Sequence, residues 1–138
     1  NYVSDESVKI EIHKLINEID SYDKLVSIKE QLKDRFGDIT PEMEIYMYEE
    51  WFEKLAIKLN ITKVYQSDRM IKITLPESIS NKIKGDKLFL EAYNINPNFT
   101  LQYVNKEVNI SLNIVNQKKH FIYDVVKLME LITSDVIV

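Results

Sequence analysis

The hydrophobic periodicity of the chain changes once, near residue 60, and this change restricts the fold more than any other feature of the sequence. Before it, apolar residues recur at the 3.6-residue spacing of an amphipathic helix. After it, apolar and polar residues alternate as they do in strands. We therefore expect an α+β fold, with an N-terminal helical half of three helices followed by two β-hairpins that form a small antiparallel sheet. A short helix between the hairpins and a closing C-terminal helix complete the prediction.

Two helices are predicted before Gly37. The first covers about residues 5–19, with Ser4 or Asp5 as its N-cap, and the second begins after Ser21. Gly37 is suited to the left-handed position that follows a helix end. The inward residues are Val8, Ile12, Leu15, Ile16 and Ile19 in the first helix and Leu25, Ile28, Leu32 and Phe36 in the second.

A third helix is predicted from Pro41 to about Leu59, with Thr40 as its N-cap and Asn60 as its left-handed terminator. Its inward residues are Ile45, Tyr48, Phe52, Leu55, Ala56 and Leu59. Met47 and Trp51 widen the apolar arc at its flank. A core or rim position is the default prediction for these side chains, and the alternative is that they are a secondary interface, an exposed hydrophobic anchor for a partner.

The second half contains the strands. Residues 61–75 are predicted to form two short strands, with Ile71, Ile73 and Leu75 on one face. A short helix is predicted from Asp86 to about Asn94. Residues 99–114 alternate strictly around Asn105-Lys106, which predicts a hairpin with a two-residue turn. The closing helix is predicted at about 118–133, with Phe121, Ile122, Val125, Leu128, Met129 and Ile132 inward.

Length and composition place the chain among ordinary globular proteins. Its 138 residues, 45% hydrophobic and 29% charged, suit one domain, 1–138. The chain has no cysteine, which excludes disulfides and thiol chemistry, and no apolar run of membrane-spanning length. We expect a cytoplasmic protein. Because the sequence opens with Asn1, we also expect a fragment of a larger multidomain protein.

No catalytic apparatus is visible in the sequence. Two glycines, Gly37 and Gly85, are too few for a phosphate-binding loop, and His13 and His120 lack the spacing of a helical metal pair. Glu49, Glu50 and Glu53 are expected on a solvated helix face, with Glu50 paired to Lys54. No catalytic residue, metal or cofactor is therefore predicted.

The charge distribution leaves a local basic patch open, either at Lys82, Lys84 and Lys87 or at Lys118, Lys119 and His120. The net charge is −4, and residues 1–60 carry 14 acidic and 8 basic side chains. This excess of acidic side chains disfavours binding to the phosphate backbone of DNA, so we do not expect direct DNA binding. However, Lys118, Lys119 and His120 at the expected start of the last helix would oppose its macrodipole, which favours an anionic partner at this basic edge.

Several short motifs in the first half of the chain follow one another in the order of a known family. "DRFG" at 34–37, followed by Pro41 and by "LAIKLNITKV" at 55–64, resembles the C-terminal domain of bacterial transcription-repair coupling factors, the Mfd family. The order of these pieces agrees throughout residues 2–64. The sequence departs from the family pattern at Ser4, where proline is usual, and at Gln31, where glutamate is usual.

The resemblance implies a regulatory domain and not a motor. It implies intramolecular docking on the UvrB-like N-terminal module of the parent protein, an ATP-dependent DNA translocase. The docked domain would mask the UvrA-binding surface until stalled RNA polymerase is engaged. UvrA and RNA polymerase are then indirect partners.

Helical spacing selects the candidate domain interface. With the apolar stripe of the second helix inward, Lys24, Ser27, Gln31 and Asp34 fall on its outer face, with Arg35 at the edge. Asp34 would lie near a helix C-terminus, where an acid is disfavoured by the dipole. Two roles stay open for Asp34 and Arg35: docking, or tying the helix end to neighbouring helices. The alternative to the regulatory function is a free-standing nucleic-acid or repair-factor binding module that uses the edge at Lys118–His120.

Overall fold

The computed structural model describes residues 5–19 and 22–136 and has an α+β fold, which confirms the predicted class. The elements are α1 (Asp5–Ile16), α2 (Tyr22–Phe36), α3 (Pro41–Lys58), β1 (Lys63–Gln66), β2 (Met70–Leu75), α4 (Glu77–Ser80), α5 (Gly85–Ile95), β3 (Phe99–Val104), β4 (Glu107–Asn113) and α6 (Ile122–Leu131), followed by a π-helical turn (Ile132–Val136). The chain divides into two compact units between Glu53 and Lys54, inside α3. The prediction of one domain over 1–138 stays a prediction.

The first unit contains α1 and α2, which pack against each other. Their apolar stripes are buried largely as the spacing predicts: Val8, Ile12, Ile19, Leu25, Ile28 and Leu32 are buried, and Leu15 and Phe36 are half-buried. The helix α1 ends at Ile16, where the Glu18 N–H bonds to the Leu15 carbonyl, so it is shorter than the predicted 5–19. The proposed caps Ser4 and Ser21, and the side chains of Asp5 and Ile16, lie outside the described residues.

The link between α2 and α3 follows its sequence signals. Gly37 has φ +80°, and its N–H donates to the Lys33 carbonyl at 2.8 Å. Thr40 Oγ1 accepts the Met43 N–H at 3.1 Å, and the helix begins at Pro41. Both the predicted end of α2 and the predicted start of α3 are confirmed, and local backbone conformation and helix capping explain each of them.

Met47 and Trp51 are core residues, so the alternative that they form an exposed anchor is wrong. Met47 is 0% exposed and Trp51 is 3% exposed. Together with Met43 they recur every four residues along α3, and Leu55 and Leu59 continue this row. The predicted inward stripe is centred about one position away from this row. Apolar residues cover about half of the helix circumference, so the sequence does not determine which part of that arc faces inward. Of that stripe, Ile45, Phe52 and Ala56 are half-buried.

The helix α3 is terminated by Asn60, as predicted. Asn60 has φ 57°, and the Ile61 N–H donates to the Ala56 carbonyl at 2.9 Å. This is the hydrogen bond that closes a helix end around a left-handed residue.

The second unit is built on a four-stranded antiparallel sheet in the order β1-β2-β4-β3. The two predicted hairpins are present and are joined through β2 and β4, where Ile71 pairs with Leu112 and Ile73 pairs with Ile110. These four side chains are buried. At the β3–β4 turn, Asn105 and Lys106 both have positive φ, 52° and 67°, as a tight two-residue hairpin turn requires.

Helices cover this sheet. The helix α5 packs against α6 and β3, and α4 packs against β4. The short α4 was not predicted; it begins directly after Pro76, whose fixed φ suits the residue before a helix. The helix α5 begins at Gly85 with Lys84 as N-cap and no side-chain cap, so the predicted start at Asp86 is one residue late.

The last helix begins later than predicted, at Ile122 and not at residue 118. The segment before it is a series of turns, in which Asn116 has φ 61° and Asn113 Oδ1 accepts the Val115 N–H at 2.9 Å. Side chains that bond to the backbone two residues later compete with helix formation. The inward residues of α6 agree with the prediction: Ile122, Val125, Leu128, Met129 and Ile132 are buried, and Phe121 is half-buried.

Candidate docking face on α2

The outer face of α2 carries the predicted interface side chains. Ser27, Gln31 and Asp34 are exposed, and Lys24 is half-buried. They lie opposite the buried stripe that begins at Leu25, as the helical spacing predicts. These positions therefore offer a hydroxyl, an amide and a carboxylate to solvent along one side of the helix. Their role in docking stays a prediction.

Asp34 has an unfavourable position within α2. It lies in the last turn of a helix that ends at Phe36, where the carbonyl groups give the helix end a partial negative charge. Its carboxylate has no side-chain partner among residues 5–19 and 22–136, whereas the neighbouring Lys33 is 3.8 Å from Asp38. A basic group from another molecule or module would relieve this repulsion.

Arg35 faces the neighbouring helix. Its Nη1 donates to Glu11 Oε2 at 2.5 Å, and its guanidinium lies 5.4 Å from the Phe36 ring centre. For Arg35 the structure therefore favours the second of the two roles left open by the sequence, a tie between the end of α2 and α1. Asp34 is not drawn into this contact.

Two further side-chain contacts join α3 to the other helices of the first unit. Lys29 of α2 is 2.5 Å from Glu44, and His13 Nδ1 of α1 donates to Glu50 Oε1 at 2.5 Å. Tyr46 also donates to Glu50, at 3.1 Å. Sequence reasoning missed these pairs, because residues 15 to 37 positions apart give no local signal of contact.

Glu50 is consequently not on a solvated face, contrary to the expectation from the sequence. Its side chain is only 13% exposed. Partial burial and the Glu50 carboxylate raise the pKa of Tyr46 above its ordinary value. Partial burial, a hydrogen bond to Glu50 and the charges of Glu50 and Glu49 raise the pKa of Glu53, and His13 opposes this increase.

Two of the three residues of the predicted basic edge make contacts within the fold. Lys119 Nζ is 3.2 Å from Asp124 Oδ1, and His120 Nδ1 accepts the N–H of Ile122, the first residue of α6, at 3.1 Å. The His120 ring also lies against Phe121, with 4.3 Å between ring centres. The expectation that these residues occupy a helix start unfavourably is wrong, since they precede the helix. Only Lys118 of the three is exposed without a side-chain partner in the described part of the chain.

The described residues contain no group of three or more His, Cys, Asp or Glu side chains placed to hold a metal ion. Among the same residues, no helix has the length and apolar character needed to cross a membrane.

Comparison with known proteins identifies relatives. Residues 1–86 match the model of the family described as the TRCF domain. The chain is 27% identical over 116 residues to the transcription-repair-coupling factor of Staphylococcus aureus strain USA300, covering 84% of this chain and 10% of that protein. The corresponding protein of Staphylococcus haemolyticus is 27% identical over 88 residues, 64% of this chain and 8% of that protein. The chain thus spans about a tenth of the length of these relatives.

A solved structure has the same fold. The crystal structure of a C-terminal domain of transcription-repair coupling factor superposes with a TM-score of 0.71 at 21% identity, covering 95% of this chain and 80% of that one.

Proposed function

Since the chain belongs to the TRCF domain family, we propose that it is the non-catalytic regulatory domain of a bacterial transcription-repair coupling factor. In this proposal the domain docks on the UvrB-like N-terminal module of the same polypeptide in the cytoplasm. Docking covers the surface that UvrA recognises until the parent protein, a DNA translocase, engages stalled RNA polymerase. The domain acts as an autoinhibitory clamp.

The observation that carries the proposal is the unpartnered carboxylate of Asp34 at the C-terminal end of α2. The dipole of α2 repels the Asp34 carboxylate. A cation on the docking module would therefore interact favourably with both the carboxylate and the negative end of the helix. Arg35, held by Glu11, shapes the edge of this face and does not compete for Asp34.

Gln31 lies one turn before Asp34 on the same face and supplies a neutral amide where the family resemblance has glutamate. An amide can hydrogen-bond to an arginine on the partner but gives no charge pair, which weakens the contact. A coupling of about 1–3 kcal/mol is sufficient for a clamp that is mostly closed and can still be released. We therefore expect a weakly closed clamp in this protein.

The test is UvrA binding by the full-length parent protein, compared with a parent that lacks residues 1–138 of this chain. Deletion should tighten UvrA binding by about 5- to 150-fold, the range of such couplings. In the full-length protein, Asp34→Lys should reproduce part of this gain. Asp68→Lys, which makes the same charge change at an exposed position of the β1–β2 turn, is the matched control and should leave UvrA affinity unchanged. Equal UvrA affinity with and without the domain would defeat the autoinhibition proposal.

A further inference from the structure

An open groove of about 310 Å³ lies in the second unit, between α5 and the β3–β4 hairpin. Leu88 and Phe89 of α5 form one wall, and Leu101 and Tyr103 of β3 form the other, with Val108 of β4 between them. The lining is mostly apolar, and the volume is in the range of small binding sites in proteins. The groove is large enough to accept apolar side chains of a partner.

Two aromatic rings of the groove are unusually exposed. The Phe89 side chain is 57% exposed and Tyr103 is 64% exposed. On the same helix, Leu90 and Tyr93 are 59% and 56% exposed and extend this apolar surface along α5. Contiguous exposed apolar surface of this kind is uncommon on a soluble protein and marks interaction sites. Aromatic side chains are also the residues that most often carry binding energy at interfaces.

The floor of the groove is held rigidly. Ser80 is buried, its hydroxyl donates to the Leu75 carbonyl at 3.0 Å, and its Oγ accepts the Val108 N–H at 2.9 Å. This one side chain therefore joins the end of α4 to both β2 and β4. A site that is already formed loses less conformational entropy when a partner binds.

Lysines outnumber acids next to the lining residues of the groove, although the chain as a whole has a net charge of −4 and the exposed Asp86 follows the lining residue Gly85. Lys82 and Lys84 flank the lining residue Ile83, and Lys106 lies in the turn between Tyr103 and Val108. All three lysines are exposed and have no ion-pair partner among the described residues. Glu107 is the acid nearest to Lys106 in sequence, and its Oε1 lies 3.4 Å from Lys63 Nζ. A partner that combines apolar side chains with carboxylates is complementary to this site.

We propose that this groove binds an acidic peptide segment of a partner protein, which inserts an aromatic or aliphatic side chain between Phe89 and Tyr103 and places flanking Asp or Glu residues against the lysine rim. A protein segment fits better than nucleic acid, because the aliphatic side chains of Leu88, Leu101 and Val108 line the groove beside the two rings and are complementary to an apolar side chain. The overall negative charge also opposes binding to a phosphate backbone. The proposal concerns the second unit and does not depend on the docking face of α2.

The test begins with selection from a displayed library of random twelve-residue peptides on the intact 138-residue chain. The selected peptides should share an apolar anchor flanked by acidic residues. The tightest one, synthesised with a fluorescein label, is then titrated with the chain, and the dissociation constant is measured by fluorescence anisotropy. Binding should weaken as salt is raised, because part of it is electrostatic.

Substitutions assign the binding to the groove. Phe89→Ala and Tyr103→Ala should each weaken binding by about tenfold, as expected for an aromatic hot spot. Lys84→Glu should weaken it several-fold and reduce its dependence on salt. Tyr65→Ala, an exposed aromatic of β1 outside the groove, and Lys72→Glu, an exposed lysine of β2, are the matched controls and should leave the constant within about twofold.

Three results would overturn the proposal. The first is a selection that enriches no anchored acidic peptide, and the second is a selected peptide whose affinity is unaffected by Phe89→Ala and Tyr103→Ala. The third is tighter binding of a twelve-nucleotide oligothymidylate than of the selected peptide. Thermal unfolding followed by circular dichroism verifies that each variant is folded, which the exposure of both rings leads us to expect.

Discussion

Arg35 and Glu11 form a direct ion pair between the last turn of α2 and α1, with Nη1 and Oε2 2.5 Å apart. The Glu11 side chain is 17% exposed, so water screens this pair less than it screens a fully exposed one. The pair fixes the end of α2 beside Asp34, and it therefore orients the proposed docking face as well as stabilising the helix pair.

A double-mutant cycle with Glu11→Gln and Arg35→Met should give a coupling free energy of about 0.5–1 kcal/mol, measured by urea unfolding. The control is the same cycle for Lys33→Met and Asp38→Asn, whose charges are 3.8 Å apart and whose side chains are 62% and 90% exposed. That cycle should give a coupling near zero. Equal couplings for the two pairs would contradict the structural role assigned to Arg35.

Glu53 provides a prediction about pH. Its pKa in the fold is raised above the ordinary 4.5 by partial burial first and then by Glu50 and Glu49. The folded state therefore binds a proton more readily than the unfolded state, and the stability from protonated Glu53 is present below the ordinary pKa and lost as pH rises through the raised one. Glu53→Gln, which is neutral at every pH, should be slightly more stable than the natural protein at pH 7, and the gain is small because water screens this largely exposed side chain.

This advantage should disappear when urea unfolding is repeated below the ordinary pKa of the group, because Glu53 is then protonated in both states. Glu50→Gln supplies the control background. In the Glu50→Gln background, the stability gained from Glu53→Gln should decrease, because the Glu50 charge and hydrogen bond contribute to the raised pKa of Glu53. A gain that is the same at both pH values would show that removal of a charge is not its cause.

The parts of the fold that could be predicted well are those encoded by single residues in their local context. Gly37, Thr40, Asn60 and Asn105 each specify a backbone conformation or a cap that needs no distant partner. The strand residues Ile71, Ile73 and Leu75 likewise alternate with the period of the pleat.

The features that could not be predicted depend on contacts between distant segments. Trp51 lies on an apolar arc wide enough for two choices of inward face, and only the packing of α3 decides between them. The partners of Arg35, His13 and Glu50 depend on how three helices cross. At the candidate docking face, the exposure of Gln31 and Asp34 follows from helical spacing, whereas the engagement of Arg35 by Glu11 does not.

Asp124 supplies a prediction about the core of the second unit. It is buried, its Oδ2 accepts from Asn96 Nδ2 at 3.0 Å, and its Oδ1 lies 3.2 Å from Lys119 Nζ. Asp124→Ala removes both contacts and leaves Asn96 Nδ2 to donate only to Gln117 Oε1, so the free energy of unfolding should fall by about 2 kcal/mol. Lys119→Met keeps the bond to Asn96 and should cost no more than about 1 kcal/mol. Comparable losses in urea unfolding for both variants would mean that the exposed lysine, and not the buried amide, governs this cluster.

Lys106 gives the last prediction, because it occupies a conformation that is costly for its residue type. Its φ is 67° in the β3–β4 turn, where a side chain other than glycine or asparagine costs about 1 kcal/mol. Lys106→Gly should raise the free energy of unfolding by about 0.5–1 kcal/mol, measured by urea unfolding. Asn105→Ala, at φ 52° in the same turn, should lower it by a similar amount, because alanine lacks the tolerance of asparagine for this region. If Lys106→Gly also weakens the selected acidic peptide while making the chain more stable, the loss of affinity is due to the missing charge and not to damage to the hairpin.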